Sequence, residues 1–164
     1  MTNTETEAFE AMLAHHQALE ENVAIRVAAL AGAVAAGSVY EAPTAELVAY
    51  LADEVIPHAL AEEQTIYRVA SIRAGLAETV TEMIEEHRSL ASAIKQLAGA
   101  STGSDAVRQA ESISALFAAH VAKENELLLP SLLADDEVDL RQLLAQMQRL
   151  TESAHEAQHP TPKG

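Results

Sequence analysis

Apolar residues along this chain recur every three or four positions, which is the spacing of one face of an α-helix. Five segments carry the pattern, over residues 5–34, 44–73, 79–97, 105–129 and 135–155. No stretch alternates β-branched or aromatic residues with polar ones, so the pattern predicts no β-strand. The chain is therefore predicted to be all-α.

Short connections separate these segments, with Gly37, Gly75 and the linker 99–103 at three of the breaks. Short linkers place consecutive helices antiparallel. We therefore predict an up-and-down antiparallel four-helix bundle with an additional C-terminal helix. Residues 1–157 are expected to form a single domain, and residues 158–164, which include two prolines, a loose tail.

The helix ends carry local signals. Pro43 suits the start of the second helix. Thr79 and Glu82 fit a capping box for the third helix. Ser104 or Asp105 is predicted to cap the fourth.

Two prolines fall within or at the end of predicted helices. Pro57 removes one backbone hydrogen bond and should kink the second helix beside His58. The kink is either a simple irregularity or a device that aims the neighbouring side chains. Pro130 is predicted to end or kink the fourth helix.

One histidine lies in the apolar face of each of the first four helices. These residues are His16, His58, His87 and His120. A helix rises ~1.5 Å per residue, and across each hairpin the heights of these histidines differ by about 5–10 Å. All four can therefore lie at one level of the bundle core.

Two of these histidines have a glutamate one helical turn later, as His58 with Glu62 and His120 with Glu124. Residues at i and i+4 share a helix face, so each pair points in one direction. Four imidazole nitrogens and two carboxylates suit two adjacent first-row transition-metal ions with bridging carboxylates. An unpaired buried carboxylate costs several kcal/mol, which favours a metal site over a metal-free core. A hydrogen-bonded His–Glu network is the alternative.

Composition and charge narrow the functional classes. The 25 acidic and 10 basic residues give a net charge of −15, which argues against nucleic acid and anionic membrane surfaces as partners. The absence of cysteine excludes disulfides, Cys-based zinc sites, iron–sulfur ligands and a thiol nucleophile. No apolar run approaches the ~20 residues of a membrane span, and no signal-peptide pattern begins the chain, so we expect a cytoplasmic location.

Three stretches of the sequence, 57–67 (PHALAEEQTIY), 86–90 (EHRSL) and 120–130 (HVAKENELLLP), resemble the hemerythrin-like family, also called the HHE cation-binding domain. With the histidine of the first helix, the resemblance covers residues 9–133. It implies a non-haem di-iron centre, oxo- or hydroxo-bridged, inside a four-helix bundle. The terminal ligands it implies are His16, His58, His87 and His120, and the bridging ligands are Glu62 and Glu124.

Two positions depart from the oxygen-carrying hemerythrins. Ala91 stands where those proteins have a second histidine on the third helix, and Asn125 where they have an aspartate. Fewer protein ligands leave coordination positions open, which suits catalysis. On the first helix we choose His16 as the ligand, because it continues the apolar face, and expect His15 to be a partner of the site or a surface residue.

Tyrosines are candidates for an open position. Tyr67 follows His58 by nine residues, which turns it to the opposite face of a continuous helix. Tyr50 precedes His58 by eight residues and lies nearer the same face, so it is the preferred candidate. Packing at the boundary of the core is the simpler interpretation for both.

Other acidic and histidine residues are given less weight. Glu152 with His155 and Glu156 with His159 match a Glu-x-x-His motif, but we interpret them as a solvated tail. We interpret Glu63, Glu85 and Glu86 as a solvated face, with support of a ligand as the alternative for Glu63.

The expected function is a reaction of hydrogen peroxide, oxygen or nitric oxide at an open iron position. No catalytic residue is predicted beyond the metal ligands, and an electron donor is a compatible partner. The sequence leaves open whether the protein is an enzyme of peroxidase, catalase or nitric-oxide-consuming type, or an oxygen or iron binding, storage or sensing protein without turnover. It also leaves zinc or manganese open in place of iron.

Overall fold

The structure, a computed structural model, describes residues 3–73 and 75–158. In chain order its helices are α1 (Asn3–Ala35), α2 (Glu41–Tyr50), α3 (Ile56–Gln64), α4 (Ile66–Ala70), α5 (Ala77–Ala98), α6 (Gly103–Lys123), α7 (Leu129–Leu133) and α8 (Leu140–Gln158). Two π-helical segments, Leu51–Val55 and Glu124–Leu128, join α2 to α3 and α6 to α7.

Four long elements form the bundle: α1, the run α2–α4, α5, and the run α6–α7. Helix α1 packs against α2 and α6, and α5 packs against α6 and α2, so the elements close into an up-and-down bundle in chain order. Helix α8 lies against α1 and α3. The predicted all-α bundle with an additional C-terminal helix is confirmed.

Pro57 and Pro130, the two prolines predicted to kink or end helices, each lie two residues after a π-helical segment. In each segment the N–H of the residue before the proline bonds to the carbonyl five residues back. This wider turn accommodates a proline ring, which would clash with the preceding turn of a regular α-helix. The predicted irregularity beside Pro57 is thus a π-turn, a feature that often accompanies functional sites.

Several helix ends differ from the sequence-based prediction. Helix α6 is capped by Thr102, whose side-chain oxygen accepts the Asp105 N–H at 3.2 Å, because Thr102 is the last extended residue and Ser104 is already helical. The predicted capping box at Thr79 is also wrong, since α5 begins two residues earlier with Leu76 at its N-cap. The fifth helix begins at Leu140 rather than at residue 135.

The apolar core consists of two clusters separated along the bundle axis. One cluster contains Met12, Tyr67, Met83 and Leu128. The other contains Leu19, Leu51, Leu90 and Phe117. On every bundle element the helical spacing of the pattern places a histidine between the two clusters. The fold therefore sets one polar layer across the core. None of the helices in the described residues is long and apolar enough to cross a membrane.

Candidate metal centre

The polar layer consists of six side chains from the four bundle elements. They are His16, His58, Glu62, His87, His120 and Glu124. None is more than 6% exposed, and both glutamates are 1% exposed. The structure therefore brings together at one level every residue that the sequence predicts as a metal ligand.

The six side chains form two overlapping groups. His16 and His58 meet the two glutamates in one group, and His87 and His120 meet the same glutamates in the other. Within each group the candidate ligand atoms all lie within 4.8 Å of one another. Since Glu62 and Glu124 belong to both groups, each carboxylate can contact two adjacent ions.

Each histidine directs its Nε2 atom towards the carboxylates. On one side His16 Nε2 lies 3.4 Å from Glu62 Oε1 and 3.6 Å from Glu124 Oε2, and His58 Nε2 lies 2.9 Å from Glu62 Oε1. On the other side His87 Nε2 lies 3.6 Å from Glu62 Oε2, and His120 Nε2 lies 3.4 Å from Glu124 Oε1. The donor atoms thus converge on two neighbouring points.

Each histidine also makes a hydrogen bond through its outward-facing Nδ1 atom. These partners are Asn125 Oδ1 for His16 at 2.6 Å, His15 Nε2 for His58 at 3.2 Å, Glu63 Oε1 for His87 at 2.9 Å and Glu86 Oε2 for His120 at 2.8 Å. Metal-binding histidines characteristically donate the second ring N–H to a carboxylate or carbonyl oxygen, which fixes the tautomer and the ring orientation. The outer partners therefore leave the Nε2 lone pairs facing inward.

The inward-facing atoms fit a metal better than they fit one another. When both rings are neutral and donate Nδ1–H to carboxylates, the Nε2 lone pairs of His87 and His120 face each other at 2.9 Å. His16 Nε2, His58 Nε2 and Glu62 Oε1 are buried without a hydrogen bond of acceptable geometry. Such atoms are costly unless a cation sits among them. The nitrogen and oxygen donor set is one that first-row transition metals accept.

The electrostatics of the cluster point the same way. Burial alone would lower the pKa of His16 and His120, but the facing carboxylates raise both pKa values to about 9. Conversely, burial would raise the pKa of Glu62, and the adjacent imidazoles of His58 and His16 hold that pKa well below the usual range. Without a metal, the cluster therefore attracts protons into the positions where cations would sit.

Tyr67 joins the site, which corrects the sequence-based preference for Tyr50. The Tyr67 hydroxyl donates to Glu124 Oε1 and lies 3.1 Å from His120 Nε2, and its ring stacks on His87. Burial and the nearby carboxylates raise the pKa of Tyr67, so the phenol stays protonated. Tyr50 instead packs against Arg26, whose guanidinium carbon lies 4.0 Å from the centre of the Tyr50 ring.

The reason for this correction is a break in the helix. The nine-residue count from His58 to Tyr67 assumes a continuous α-helix, but α3 ends at Gln64 and Thr65 has φ −121° and ψ −90°. This non-helical residue changes the direction of the following turn. Tyr67 therefore faces the core.

Two outer partners were not predicted. Glu86, which we interpreted as part of a solvated face, holds His120 and also pairs with Lys123. Asn125 drew attention as a departure from the oxygen-carrying pattern, and it orients His16 across 109 positions of sequence. The sequence feature that could have indicated the role of Glu86 is its position next to His87, which directs the Glu86 side chain towards the neighbouring helix. The alternative role for Glu63, support of a ligand, matches its contact with His87.

Two further histidines of the described residues lie outside the ligand cluster. His15 contacts His58 from the outer side, and His155 lies exposed on α8, 3.7 Å from Glu54. The predicted solvated position of Glu152 agrees with its exposure. His159 and the predicted tail beyond Gln158 lie outside the described residues.

Comparison with known families agrees with this geometry. The sequence model of the Hemerythrin HHE cation binding domain family matches residues 7–132. That range covers nearly the whole of the four bundle elements and contains all six side chains of the cluster. The chain belongs to this hemerythrin-like family of helical bundles with a His/Glu cluster that can hold metal. Searches of curated proteins and of solved structures return no significant match.

Proposed function

We propose that the protein binds two iron ions at the polar layer and reacts there with a small oxidant or diatomic molecule, namely hydrogen peroxide, oxygen or nitric oxide. The observation that carries the proposal is the sharing of Glu62 and Glu124 by both donor groups. A single ion would leave one pair of histidines without a metal. Two ions bridged by two carboxylates use every inward-facing donor.

Iron is proposed over zinc or manganese on the strength of the family resemblance, because the donor set itself accepts all three. The ions would add the positive charge that balances the two glutamates buried at 1% exposure. When bound, iron supplies redox change and open positions for small ligands. Each donor group provides two imidazoles and two shared carboxylates, which is fewer than six protein donors per ion.

The chain's own residues then have distinct roles. The outer partners, including Asn125 and Glu86, hold the imidazoles in the tautomer that presents Nε2. The two apolar clusters on either side keep bulk water away from the layer. Tyr67 places a protonated hydroxyl beside Glu124 and His120, where its single hydrogen bonds to the Glu124 carboxylate and orients it.

The first test is metal content. The full-length protein, loaded anaerobically with ferrous iron and desalted, should retain about two iron ions per chain. Glu124→Ala should lose at least one of them, because it removes a shared carboxylate. Glu126→Ala is the matched control, since Glu126 is exposed two residues further along the same segment. Retention of two ions by Glu124→Ala would contradict the bridging role.

The second test is reactivity. Peroxide decomposition and nitric oxide consumption are measured electrochemically for the iron-loaded protein and for Glu62→Ala. Turnover of either compound that depends on Glu62 supports an enzyme. Reversible oxygen binding without turnover of these compounds would contradict an enzymatic role and favour a binding protein.

A further inference from the structure

A half-open cavity of about 550 Å³ lies between α1 and α8, and none of the six cluster residues lines it. We call it the α1–α8 cavity. Its wall on α1 consists of residues spaced three or four apart, so they form one helix face: Ala8, Ala11, Met12 and His15. Its wall on α8 includes Leu144, Ala145, Met147 and Gln148. The volume falls within the ~300–1,000 Å³ range of small-molecule sites.

His15 connects this cavity to the metal cluster. It lines the cavity, and its Nε2 lies 3.2 Å from His58 Nδ1. When His58 presents the Nε2 lone pair to a metal, its Nδ1 carries the hydrogen and donates it to His15 Nε2. The neutral His15 ring then carries its own hydrogen on Nδ1. That N–H is the polar group that His15 can offer to a molecule in the cavity.

The other outer partners differ from His15 in this respect. Asn125, Glu63 and Glu86 do not line the α1–α8 cavity. Among the described outer partners, His15 is thus the one that joins a metal-facing histidine to a space large enough for an organic molecule.

The cavity wall indicates the chemical class of its ligand. Met12 and Met147 are only 6% and 3% exposed. Their thioether sulfurs can make favourable contacts with an aromatic ring. Alanines at 8, 11 and 145 leave room for a flat ring close to the helix backbones. These features favour a planar apolar body.

The charge of the protein favours a neutral ligand over an anionic one. The chain carries a net charge of −15, and Glu152 lines the cavity. Arg141 also lines it, and its charged guanidinium lies 3.7 Å from the Asp139 carboxylate. A neutral hydroxyl avoids this repulsion and can still accept a hydrogen bond.

We propose that the α1–α8 cavity binds a neutral hydroxylated aromatic molecule, with the ring between Met12 and Met147 and the hydroxyl oxygen accepting the His15 Nδ1–H. Occupancy would act on His58 through His15, from outside the metal cluster. This ligand site goes beyond the proposed reaction with small oxidants. It can be tested whether or not the protein carries iron.

The probe is 2-naphthol, followed by its own fluorescence, because the chain contains no tryptophan. Titrations use the full-length protein in metal-free and zinc-loaded forms. We expect saturable binding of one molecule per chain. Ala11→Phe, which fills the cavity, should weaken binding at least ten-fold. Ala14→Phe is the matched control, because it adds the same ring at an exposed position of α1 that does not line the cavity, and it should bind like the wild type.

The hydroxyl contact is tested with naphthalene and with His15→Phe. Loss of one hydrogen bond corresponds to about five-fold weaker binding, so 2-naphthol should bind the zinc-loaded wild type about five-fold more tightly than naphthalene. His15→Phe should remove that difference, and circular dichroism checks that it is folded. An undiminished preference in this variant would overturn the assignment of His15.

Two results would overturn the site itself. Equal binding of 2-naphthol by Ala11→Phe and Ala14→Phe would place the probe elsewhere. Sedimentation showing a wild-type dimer that Ala11→Phe converts to monomer would show that a second copy of the chain occupies the cavity. Failure of iron loading, by contrast, would contradict the proposed function and leave the titrations of the metal-free protein as the test of this site.

Discussion

The protonation of the cluster leads to a strong prediction about the metal-free protein. His16 and His120 have pKa values raised from 6.5 to about 9 by the facing carboxylates. Each pKa unit corresponds to ~1.4 kcal/mol, so each imidazolium stabilises the folded state by about 3 kcal/mol at low pH. Two such contributions are comparable with the ~5–15 kcal/mol by which a domain is stable.

The sign follows from the raised pKa values. A group whose pKa is higher in the folded than in the unfolded chain stabilises the fold fully below the unfolded value of 6.5. That contribution is lost as the pH rises through about 9. The free energy of unfolding of the metal-free protein should therefore fall steeply between pH 6.5 and 9. Bound metal replaces these protons, so the loaded protein should lack the decline.

The assay is urea unfolding followed by circular dichroism between pH 6 and 9.5, for chelator-treated and zinc-loaded protein. Calorimetry in buffers of different ionisation enthalpy should also show about two protons released on zinc binding near pH 7.5. Glu124→Gln should flatten the decline, and the exposed control Glu126→Gln should not. Metal-free stability that stays constant or increases from pH 6.5 to 9 would refute the reasoning.

Three further outcomes are expected from local contacts. Tyr67→Phe removes the donor to buried Glu124 and should lower the free energy of unfolding of the metal-free protein by about 1–3 kcal/mol in urea titrations; an unchanged value would mean that the contact does not matter. Glu86→Gln should weaken zinc binding about 10–100-fold in competition with a chelator, whereas a structural role alone would leave affinity unchanged. In thermal unfolding, Gly32→Ala should stabilise the protein by about 0.5–1 kcal/mol, because the added Cβ meets open space within α1. In the same assay Gly103→Ala should destabilise the protein, because the added Cβ would lie 2.9 Å from a methyl group of Val34.

The positions of the six cluster residues could be predicted from the sequence because they depend on local regularity. The spacing of His58 with Glu62 and of His120 with Glu124 is one helical turn, and short connections make the helices antiparallel. These rules hold wherever the backbone stays helical. They place the histidines in the core without any knowledge of their contacts.

The outer partners could not be predicted in this way. Asn125 reaches His16, and Glu86 reaches His120, across distances along the chain that no helical period describes. Their roles depend on how neighbouring helices are rotated about their axes, and that rotation is set by the packing of the two apolar clusters.

The sequence by itself determined the helical class of this protein and the bundle order, and it allowed the histidines and glutamates to meet at one level. The tertiary structure decided which nitrogen of each histidine faces inward, and it brought Tyr67 to the site through the break at Thr65. The physical reason is that a period of 3.6 residues predicts direction only within an unbroken helix. One irregular residue or one π-turn redirects everything that follows, and only contacts between helices determine where it then points.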